Sequence, residues 1–245
     1  MINNYGLGFH INYVDGTNDF CKTVIYALGA SHRKLNCEIE EGIPVHYCAL
    51  CDGNLYKDKT VAVIGGGDVA FTQAEYLSKI CKQVIIVMCD ENVTAAASTF
   101  ERVKNIENIY ITYNFPVATI LRASHGLFGI YKEKPNSKLY THYGLHVDGI
   151  FVAIGMIPNT QSIVLSSPII TDTLGYIQTD ENCKTKIDGF FAAGDVRAKS
   201  VHQAITAASD GATVVQGVIE YLKNHSNNLS NDSNKEKWKH FELTT

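Results

Sequence analysis

Two cysteines separated by two residues, Cys48 and Cys51, are the side chains best suited to chemistry in this 245-residue chain. They lie in the segment "VHYCALCDG", and they form the one close pair among seven cysteines. An odd number of cysteines spread over a long chain is unlike the dense, even set of a small secreted disulfide scaffold. We therefore expect a cytoplasmic protein in which the pair is either a set of metal ligands or a redox couple.

Metal and haem chemistry would need partners for this pair. A structural zinc site has four ligands, and the one available second pair is His142-x3-His146, in a β-like segment of alternating polarity. A c-type haem anchor needs a histidine directly after the second cysteine, where this chain has Asp52. Haem is excluded by this rule, zinc stays open as the less favoured alternative, and we assign no metal ligands.

A redox couple needs a second cysteine to resolve the mixed disulfide, an accessible turn, and a group that handles protons. Asp52 follows Cys51 directly and precedes the turn residue Gly53, so it is a candidate acid and base. The candidate catalytic residues are therefore Cys48, Cys51 and Asp52.

A glycine-rich turn follows the pair. The apolar run 60–64 predicts a buried strand, and 68–79 predicts a helix. The motif Gly65-x-Gly67-x-x-Ala70 starts directly after the strand and ends in the first turn of the helix. In that context the glycines allow a tight turn and close approach of a pyrophosphate to the helix N-terminus, which predicts a dinucleotide-binding site. The alternative to dinucleotide binding is a glycine-rich loop that binds nothing. The residues assigned to this site are Gly65, Gly66, Gly67, Asp68 and Ala70.

The end of the second strand, predicted at 84–87, bears on which nicotinamide cofactor fits. An acidic residue there accepts a hydrogen bond from the ribose 2'-OH, whereas a 2'-phosphate needs an arginine. Here Asp90 and Glu91 follow the strand. They favour NADH over NADPH. The alternative is that they are ordinary solvent-exposed residues of a loop.

The remaining pattern predicts an α/β fold. A polar, hairpin-rich stretch is expected at 109–143, buried strands at 147–155 and 190–193, and a helix at 203–222. Strands that each deliver small residues to a turn are typical of a doubly wound sheet.

Composition excludes some classes of partner. Lys and Arg total 21 against 25 acidic residues, so no general attraction to nucleic acid or to an anionic membrane is expected. The apolar runs are too short to cross a bilayer.

The motifs "CALCDG", "VIGGGDVA", "FVAIGMIPNT", "FFAAGDVR" and "HQAITAASDGA" occur in order within 24–222. Together they resemble the low-molecular-weight thioredoxin reductases, of the flavin-dependent pyridine nucleotide-disulfide oxidoreductase class. The resemblance implies two Rossmann-like, three-layer domains. A nicotinamide domain at 38–156 would be inserted into an FAD domain made from 1–37 and 157–223, followed by a polar tail at 224–245.

The resemblance also implies a function, thioredoxin-disulfide reductase. Electrons would pass from NAD(P)H through FAD to the Cys48–Cys51 disulfide and then to a thioredoxin-like protein, within a homodimer. Cys51 would face the flavin, Cys48 would attack the substrate, and Asp52 would shuttle protons. Asp195 would hold the ribityl chain, and residues 202–204 would lie at the isoalloxazine. The further cofactor-binding residues implied are Gly155, Gly194, Asp195, His202, Gln203 and Ala204.

Two regions depart from the family pattern. The basic residues that contact the NADPH phosphate are replaced by Cys89, Asp90 and Thr94. At the front, residues 1–23 contain Gly6-Leu7-Gly8 and look like hairpin strands, where the family has a strand-GxGxxG-helix unit for FAD. We therefore expect the chain to lack that unit, to bind FAD poorly alone, and to expose apolar strand edges. The alternatives are an inactive dinucleotide-binding relative, a reductase of the same fold with another donor or acceptor such as ferredoxin, or a zinc-binding structural protein.

Overall fold

The computed structural model describes residues 2–5, 8–132, 144–163 and 169–225. In chain order the strands are β1 (Ile2–Tyr5), β2 (Gly8–Asn12), β3 (Asn18–Cys21), β4 (Val24–Tyr26), β5 (Ala30–His32), β6 (Glu38–Ile39), β7 (Thr60–Ile64), β8 (Gln83–Val87), β9 (Ile109–Thr112), β10 (Thr119–Arg122), β11 (Phe128–Tyr131), β12 (Gly144–Val147), β13 (Gly149–Val152), β14 (Met156–Pro158) and β15 (Phe190–Ala192). The α-helices are α1 (Ala49–Asp52), α2 (Asp68–Ser78), α3 (Ala97–Lys104) and α4 (Ala204–His225).

The chain is mixed α/β and divides into two compact units. Unit 1 comprises residues 1–31 and 157–245, and unit 2 comprises residues 32–156. The sequence-based division placed the first boundary after residue 37. Compact unit 2 begins at residue 32, and residues 32–37 belong with it because Leu35 and Cys37 pack against its core.

Unit 2 is built on a parallel sheet in the order β13-β7-β8-β9. The middle of β7 is fully buried, and all four residues of β13 are buried, as expected for parallel strands covered on both faces. Helix α2 packs on this sheet through Ala70, Phe71, Ala74 and Leu77, whose spacing places them on one face. The predicted strands and helix at 60–87 are confirmed.

A second sheet of unit 2 has the order β12-β11-β10-β6 and packs through Ile120, Ile130 and Val147 against Ala62 and Ile150. The prediction that the hairpin-rich stretch begins at residue 109 is wrong. Strand β9 pairs in parallel with β8 instead, and the hairpins begin at β10. Strand β9 is a four-residue edge strand with Ile109 buried and Tyr110 exposed, an alternation that is equally typical of a hairpin strand. Residues 133–143 of that predicted stretch lie outside the described residues.

Unit 1 contains an antiparallel sheet in the order β1-β2-β3, which confirms the hairpin strands expected in 1–23. Strands β4 and β15 form a separate, parallel pair. Helix α4 confirms the helix predicted at 203–222 and continues to His225, two residues into the predicted tail. Residues 226–245 of the predicted tail lie outside the described residues, as do Gly6 and Leu7 of the Gly6-Leu7-Gly8 segment. No described helix combines the length and the apolar character needed to cross a membrane.

Candidate disulfide and nucleotide sites

Cys48 and Cys51 form a disulfide at the start of α1, with their Cα atoms 5.3 Å apart. The short helix creates this proximity, because the backbone N–H groups of Cys51 and Asp52 both donate to the carbonyl oxygen of Cys48, at 3.2 and 3.1 Å. Leu50, between the cysteines, is exposed. The other cysteines, at 21, 37, 81, 89 and 183, are free thiols. The two cysteines singled out by their spacing are thus joined to each other in a disulfide.

The third candidate catalytic residue, Asp52, contacts a histidine that the sequence analysis did not assign to the site. Asp52 Oδ2 lies 3.0 Å from His46 Nδ1, and His46 Nε2 lies 2.7 Å from the Tyr56 hydroxyl oxygen. The His46 side chain is 14% exposed and that of Asp52 is 38% exposed. One face of the disulfide segment therefore carries a hydrogen-bonded row of a carboxylate, an imidazole and a phenol.

Strand β13 holds His46 in place. The His46 N–H donates to the Ile150 carbonyl at 2.9 Å, and the Val152 N–H donates to the His46 carbonyl at 2.7 Å. The imidazole packs against the ring of Phe151, with 5.2 Å between centroids. These contacts join residues about a hundred positions apart, so the short motif around Cys48 carries no local signal for them.

The Tyr56 ring packs directly against the backbone of Gly149. A Cβ at Gly149 would lie 2.4 Å from the Tyr56 ring, so only glycine leaves room for the phenol. Burial raises the pKa of Tyr56, and the negative charges of Asp52 and Asp148 raise it further. The Tyr56 hydroxyl therefore stays protonated at neutral pH and can donate a hydrogen bond.

The predicted nucleotide loop lies between β7 and α2. Gly65 has φ +149°, and a Cβ there would lie 2.3 Å from the Ala153 carbonyl oxygen, so the close approach of β7 to the end of β13 requires glycine. Gly67 caps α2, and Ala70 is fully buried beneath the loop. No hydrogen bond among the described residues uses the N–H of Gly66 or Gly67. Free N–H groups at the start of an 11-residue helix suit a phosphate.

A segment after β8 lies over this loop. Thr94 donates to the Gly66 carbonyl through its N–H at 2.9 Å and through Oγ1 at 3.2 Å. The Ala96 N–H donates to Asp68 Oδ1 at 3.0 Å. Asp68, assigned to the nucleotide site, thus ties the covering segment to the helix start.

The acidic residues after β8 lie at the same edge of the sheet as the glycine loop, since β7 and β8 are adjacent parallel strands. Asp90 accepts the Asn92 N–H at 2.8 Å, and Glu91 accepts from the Asn114 amide at 2.6 Å. Gly155, with φ +102°, follows β13 at this edge too. The structure therefore brings together the residues of unit 2 that were assigned to a cofactor.

Of the cofactor-binding residues predicted in unit 1, Gly194 and Asp195 line a cavity, whereas His202 packs against the Tyr176 ring. Gly194 and Asp195 follow β15, and Ala204 begins α4 after His202 and Gln203. The cavity has a volume of about 420 Å³ and is lined by Ile25, Ala27, Gly29, Ala193, Gly194, Asp195, Ala207, Gly211, Val214 and Val215.

Two buried polar atoms of unit 1 lack hydrogen bonds within the described part of the chain: Asp195 Oδ1 at the cavity, and His202 Nε2. Lys199 Nζ lies 3.4 Å from Asp195 Oδ1, which is an ionic contact without hydrogen-bond geometry. Buried polar atoms usually have a partner, so these two suit a polar ligand such as the hydroxyl-bearing chain of a flavin.

A buried charge network, which no local sequence pattern indicates, shapes the Gly194 turn. Asp210 on α4 accepts from the Gly194 N–H at 3.0 Å, from Arg197 at 2.8 Å and from Lys199 at 3.0 Å. The Arg197 guanidinium also lies 3.0 Å from the sulfur of Cys183. Charge-assisted hydrogen bonds of this kind are stronger than neutral ones, so Asp210 anchors the turn to α4.

The sequence profile of the family described as pyridine nucleotide-disulphide oxidoreductase matches residues 9–211. The chain belongs to this family. Relatives confirm the resemblance to thioredoxin reductases. The thioredoxin reductase of Listeria monocytogenes is 35% identical over 222 residues, covering 87% of this chain and 67% of the relative. That of Mycoplasma genitalium is 40% identical over 210 residues, covering 84% and 65%.

A solved structure agrees with these relatives. The thioredoxin reductase of Streptococcus pyogenes MGAS5005 matches with a TM-score of 0.75 and 33% identity, over 91% of this chain and 72% of that one. The chain spans about two thirds of the length of the curated relatives it matches, 67% and 65% for the two named above.

Proposed function

We propose that this protein is a flavin-dependent disulfide oxidoreductase, a thioredoxin-disulfide reductase or part of one. Electrons would come from a reduced nicotinamide cofactor and reach a thioredoxin-like protein through the Cys48–Cys51 disulfide. One observation carries the proposal: the disulfide lies in the same compact unit as a strand-glycine-helix loop whose Gly66 and Gly67 N–H groups have no acceptor among the described residues. The thioredoxin reductases among the relatives support the choice of substrate.

Residues 38–156 would form the nicotinamide-binding domain. Gly66 and Gly67 would present their N–H groups to the pyrophosphate, while Gly65 and Ala70 would allow the close packing of strand and helix beneath it. Asp68 would hold the covering segment through its bond to the Ala96 N–H. Gly155 would leave room for the cofactor at the carboxyl edge of the sheet.

Residues 1–37 and 157–223 would form the flavin domain, in a Rossmann-like arrangement with the nicotinamide domain inserted. Gly194 and Asp195 would hold the ribityl and phosphate groups, and His202, Gln203 and Ala204 would lie at the isoalloxazine. The buried Asp195 and His202 atoms that have no hydrogen-bond partner among the described residues support this assignment. When bound, FAD would supply the two-electron chemistry that links nicotinamide to a disulfide.

The disulfide chemistry belongs to three residues of unit 2. After reduction, Cys48 would attack the substrate disulfide, and Cys51, which would face the flavin, would release the product by attacking Cys48. Asp52 would take the Cys51 proton and return it to the leaving thiolate. Its position directly after Cys51 supports this role.

The proposed function is tested with the full chain, added FAD, NADH and an oxidised thioredoxin. We expect oxidation of NADH to produce two thiols per NADH, and we expect Cys48→Ser and Cys51→Ser to abolish it. A control without thioredoxin separates this reaction from oxidase activity. Equal rates in the wild type and in Cys48→Ser would overturn the proposal. Ultrafiltration after FAD addition measures flavin binding separately, so poor flavin retention is distinguished from an inactive disulfide.

The electron donor is proposed to be NADH. Asp90 and Glu91 place negative charge at the end of β8, where a 2'-phosphate would be repelled. We expect tighter binding of NADH than of NADPH in a fluorescence titration and a narrower difference in Asp90→Arg. Asp188→Asn, at an exposed carboxylate of unit 1, is the control. Tighter binding of NADPH by the wild type would contradict the assignment.

The homodimer and the cytoplasmic location remain predictions. The five free cysteines support a reducing compartment. Analytical ultracentrifugation of the purified chain tests the homodimer.

A further inference from the structure

His46 is the residue that the disulfide chemistry described above leaves unused, although it contacts the proton-handling carboxylate. We propose that His46 is a positioning residue that holds the Asp52 carboxylate ready to accept the Cys51 proton when the mixed disulfide is resolved. The inference rests on the proposed function and adds a residue to it.

The partners of the imidazole define its hydrogen-bonding state. Nδ1 faces a carboxylate oxygen, which can only accept, so Nδ1 carries the hydrogen and donates to Asp52. Nε2 is then the acceptor of the neutral ring, and it faces the Tyr56 hydroxyl at 2.7 Å. Because the pKa of Tyr56 is raised, that hydroxyl is a donor at neutral pH. The Tyr56 hydroxyl thus donates to His46 Nε2, and His46 Nδ1 donates to the Asp52 carboxylate.

The surroundings keep the ring in this orientation. The His46 backbone is bonded on both sides to β13, and its ring lies against Phe151 and edge-on to Tyr56. Turning the ring over would place carbon atoms against both the carboxylate and the phenol. The imidazole is therefore held in one orientation. The Asp52 side chain, which is 38% exposed, contacts this fixed partner on one side and solvent on the other.

The charged and titratable groups around the ring are few. Asp52 comes from α1, Tyr56 from the following turn, and β13 contributes Phe151, which does not titrate. Asp148 acts on Tyr56 through its charge and is itself held by the Thr60 N–H at 2.9 Å. Within the described residues no Lys or Arg pairs with Asp52, so His46 is its sole basic partner there.

The reaction step can be written in full. A Cys48 thiolate attacks a disulfide R–S–S–R, so the Cys48–S–S–R bond forms and one RS⁻ leaves, taking a proton from water. Cys51 then gives its proton to Asp52 and attacks the Cys48 sulfur, so the Cys48–Cys51 bond forms and the second RS⁻ leaves with the proton from Asp52. The two protein thiols are oxidised and the disulfide R–S–S–R is reduced to two thiols. His46 orients Asp52 in the second step and is unchanged at the end.

Two near-isosteric variants separate this role from simple packing. The Asn amide nitrogen of His46→Asn overlaps Nδ1 and keeps the donor to Asp52. The side-chain amide of His46→Gln reaches the position of Nε2, where its carbonyl oxygen can accept from the Tyr56 hydroxyl, leaving Asp52 without its donor. Unfolding midpoints of both variants check that each is folded.

The experiment uses the full chain without flavin, reduced with dithiothreitol, desalted, and mixed with the aromatic disulfide 5,5'-dithiobis(2-nitrobenzoate). A Cys48→Ser/Cys51→Ser double variant gives the background from the free thiols, including exposed Cys89. Acid quenching and intact mass measure the mixed disulfide. We expect His46→Gln to slow resolution at least about tenfold, a part of the 10²–10⁴-fold range of general base catalysis, and to accumulate the mixed disulfide.

The rescue by His46→Asn completes the test. We expect His46→Asn to resolve within about threefold of the wild-type rate, because its amide nitrogen keeps the hydrogen bond to Asp52. A wild-type resolution rate in His46→Gln, or equal slowing in both variants, would overturn this inference and leave the proposed function intact. Reduced wild type that reacts no faster than the double cysteine variant would overturn the proposed function itself.

Discussion

The two strand-glycine turns of this protein, Gly65 in unit 2 and Gly194 in unit 1, are held by different physical means. Gly65 is held by packing, since its backbone approaches the Ala153 carbonyl so closely that no side chain fits. Gly194 is held by charge, since its N–H donates to Asp210, which also binds Arg197 and Lys199. Similar sequence patterns therefore conceal different sensitivities to mutation.

The sheets behind these turns differ in the number of their strands and in how deeply the strands are buried. Strand β13 and the core of β7 are buried on both faces, within a four-stranded sheet. In unit 1 the parallel pair β4 and β15 has two strands, and Ile25 on β4 is 43% exposed. Several apolar residues of α4 are exposed as well: Ile205, Val215, Ile219 and Leu222. Unit 1 also has apolar clusters, around Phe190 and Phe191, and it adds to them the ion network at the Gly194 turn.

The largest expected effect tests the apolar core of unit 2. Phe151→Ala removes a fully buried ring that packs against Tyr56 and His46, and we expect a loss of about 3–5 kcal/mol in the free energy of unfolding. Ile205→Ala, at a 77% exposed position on α4, should change it by less than about 0.5 kcal/mol. Urea denaturation measures both. A large loss in Ile205→Ala would show that this face of α4 is covered in solution.

The next effect tests the ions of unit 1. Asp210→Asn leaves Arg197 and Lys199 with a neutral partner, and we expect a loss of about 3 kcal/mol, because the Asp210 and Arg197 side chains are 13% and 14% exposed. Asp188→Asn removes an exposed partner of Lys184 and should cost less than about 0.5 kcal/mol. If both variants unfold at the same urea concentration, the Gly194 turn does not depend on the charge network.

A smaller effect compares two glycines. Gly65→Ala should lower the free energy of unfolding by about 2 kcal/mol through overpacking and strain, and should weaken NADH binding. A Cβ at Gly211, on α4, meets no atom within 4 Å, so Gly211→Ala should stabilise the protein by about 0.5–1 kcal/mol through helix propensity. Denaturation and NADH titration of the two variants form the test, and a neutral Gly65→Ala would contradict the packing argument.

The smallest effect is a pH dependence from unit 2. Burial raises the pKa of the Cys81 thiol to about 11, from an ordinary value of 9.0. The folded state therefore favours the protonated thiol, so this contribution to stability is complete below about pH 9 and is lost as pH rises through about 11. Cys81→Ala should have a flatter decline in melting temperature over that range than wild type. An unchanged decline would assign the effect to other groups.

Most of the unit 2 framework could be predicted from the sequence, because it depends on local patterns. Buried strands, the glycine turn and the helix at 68–78 follow from apolar periodicity and turn chemistry within some twenty residues. The prediction failed at β9, whose parallel pairing with β8 depends on the sheet and not on its own polarity. Equally, the Asp210 network joins α4 to a turn that precedes it, and neither segment alone shows the pairing.

The sequence by itself determined the two cysteines, the aspartate that follows them, and the glycine turn after the next strand, because each is a property of a few consecutive residues. Only the tertiary structure decided that His46 contacts Asp52 and Tyr56. That contact exists because β13 binds the His46 backbone and Gly149 leaves space for the phenol, from about a hundred residues away. Contacts of such long sequence separation are fixed by the packing of the whole unit.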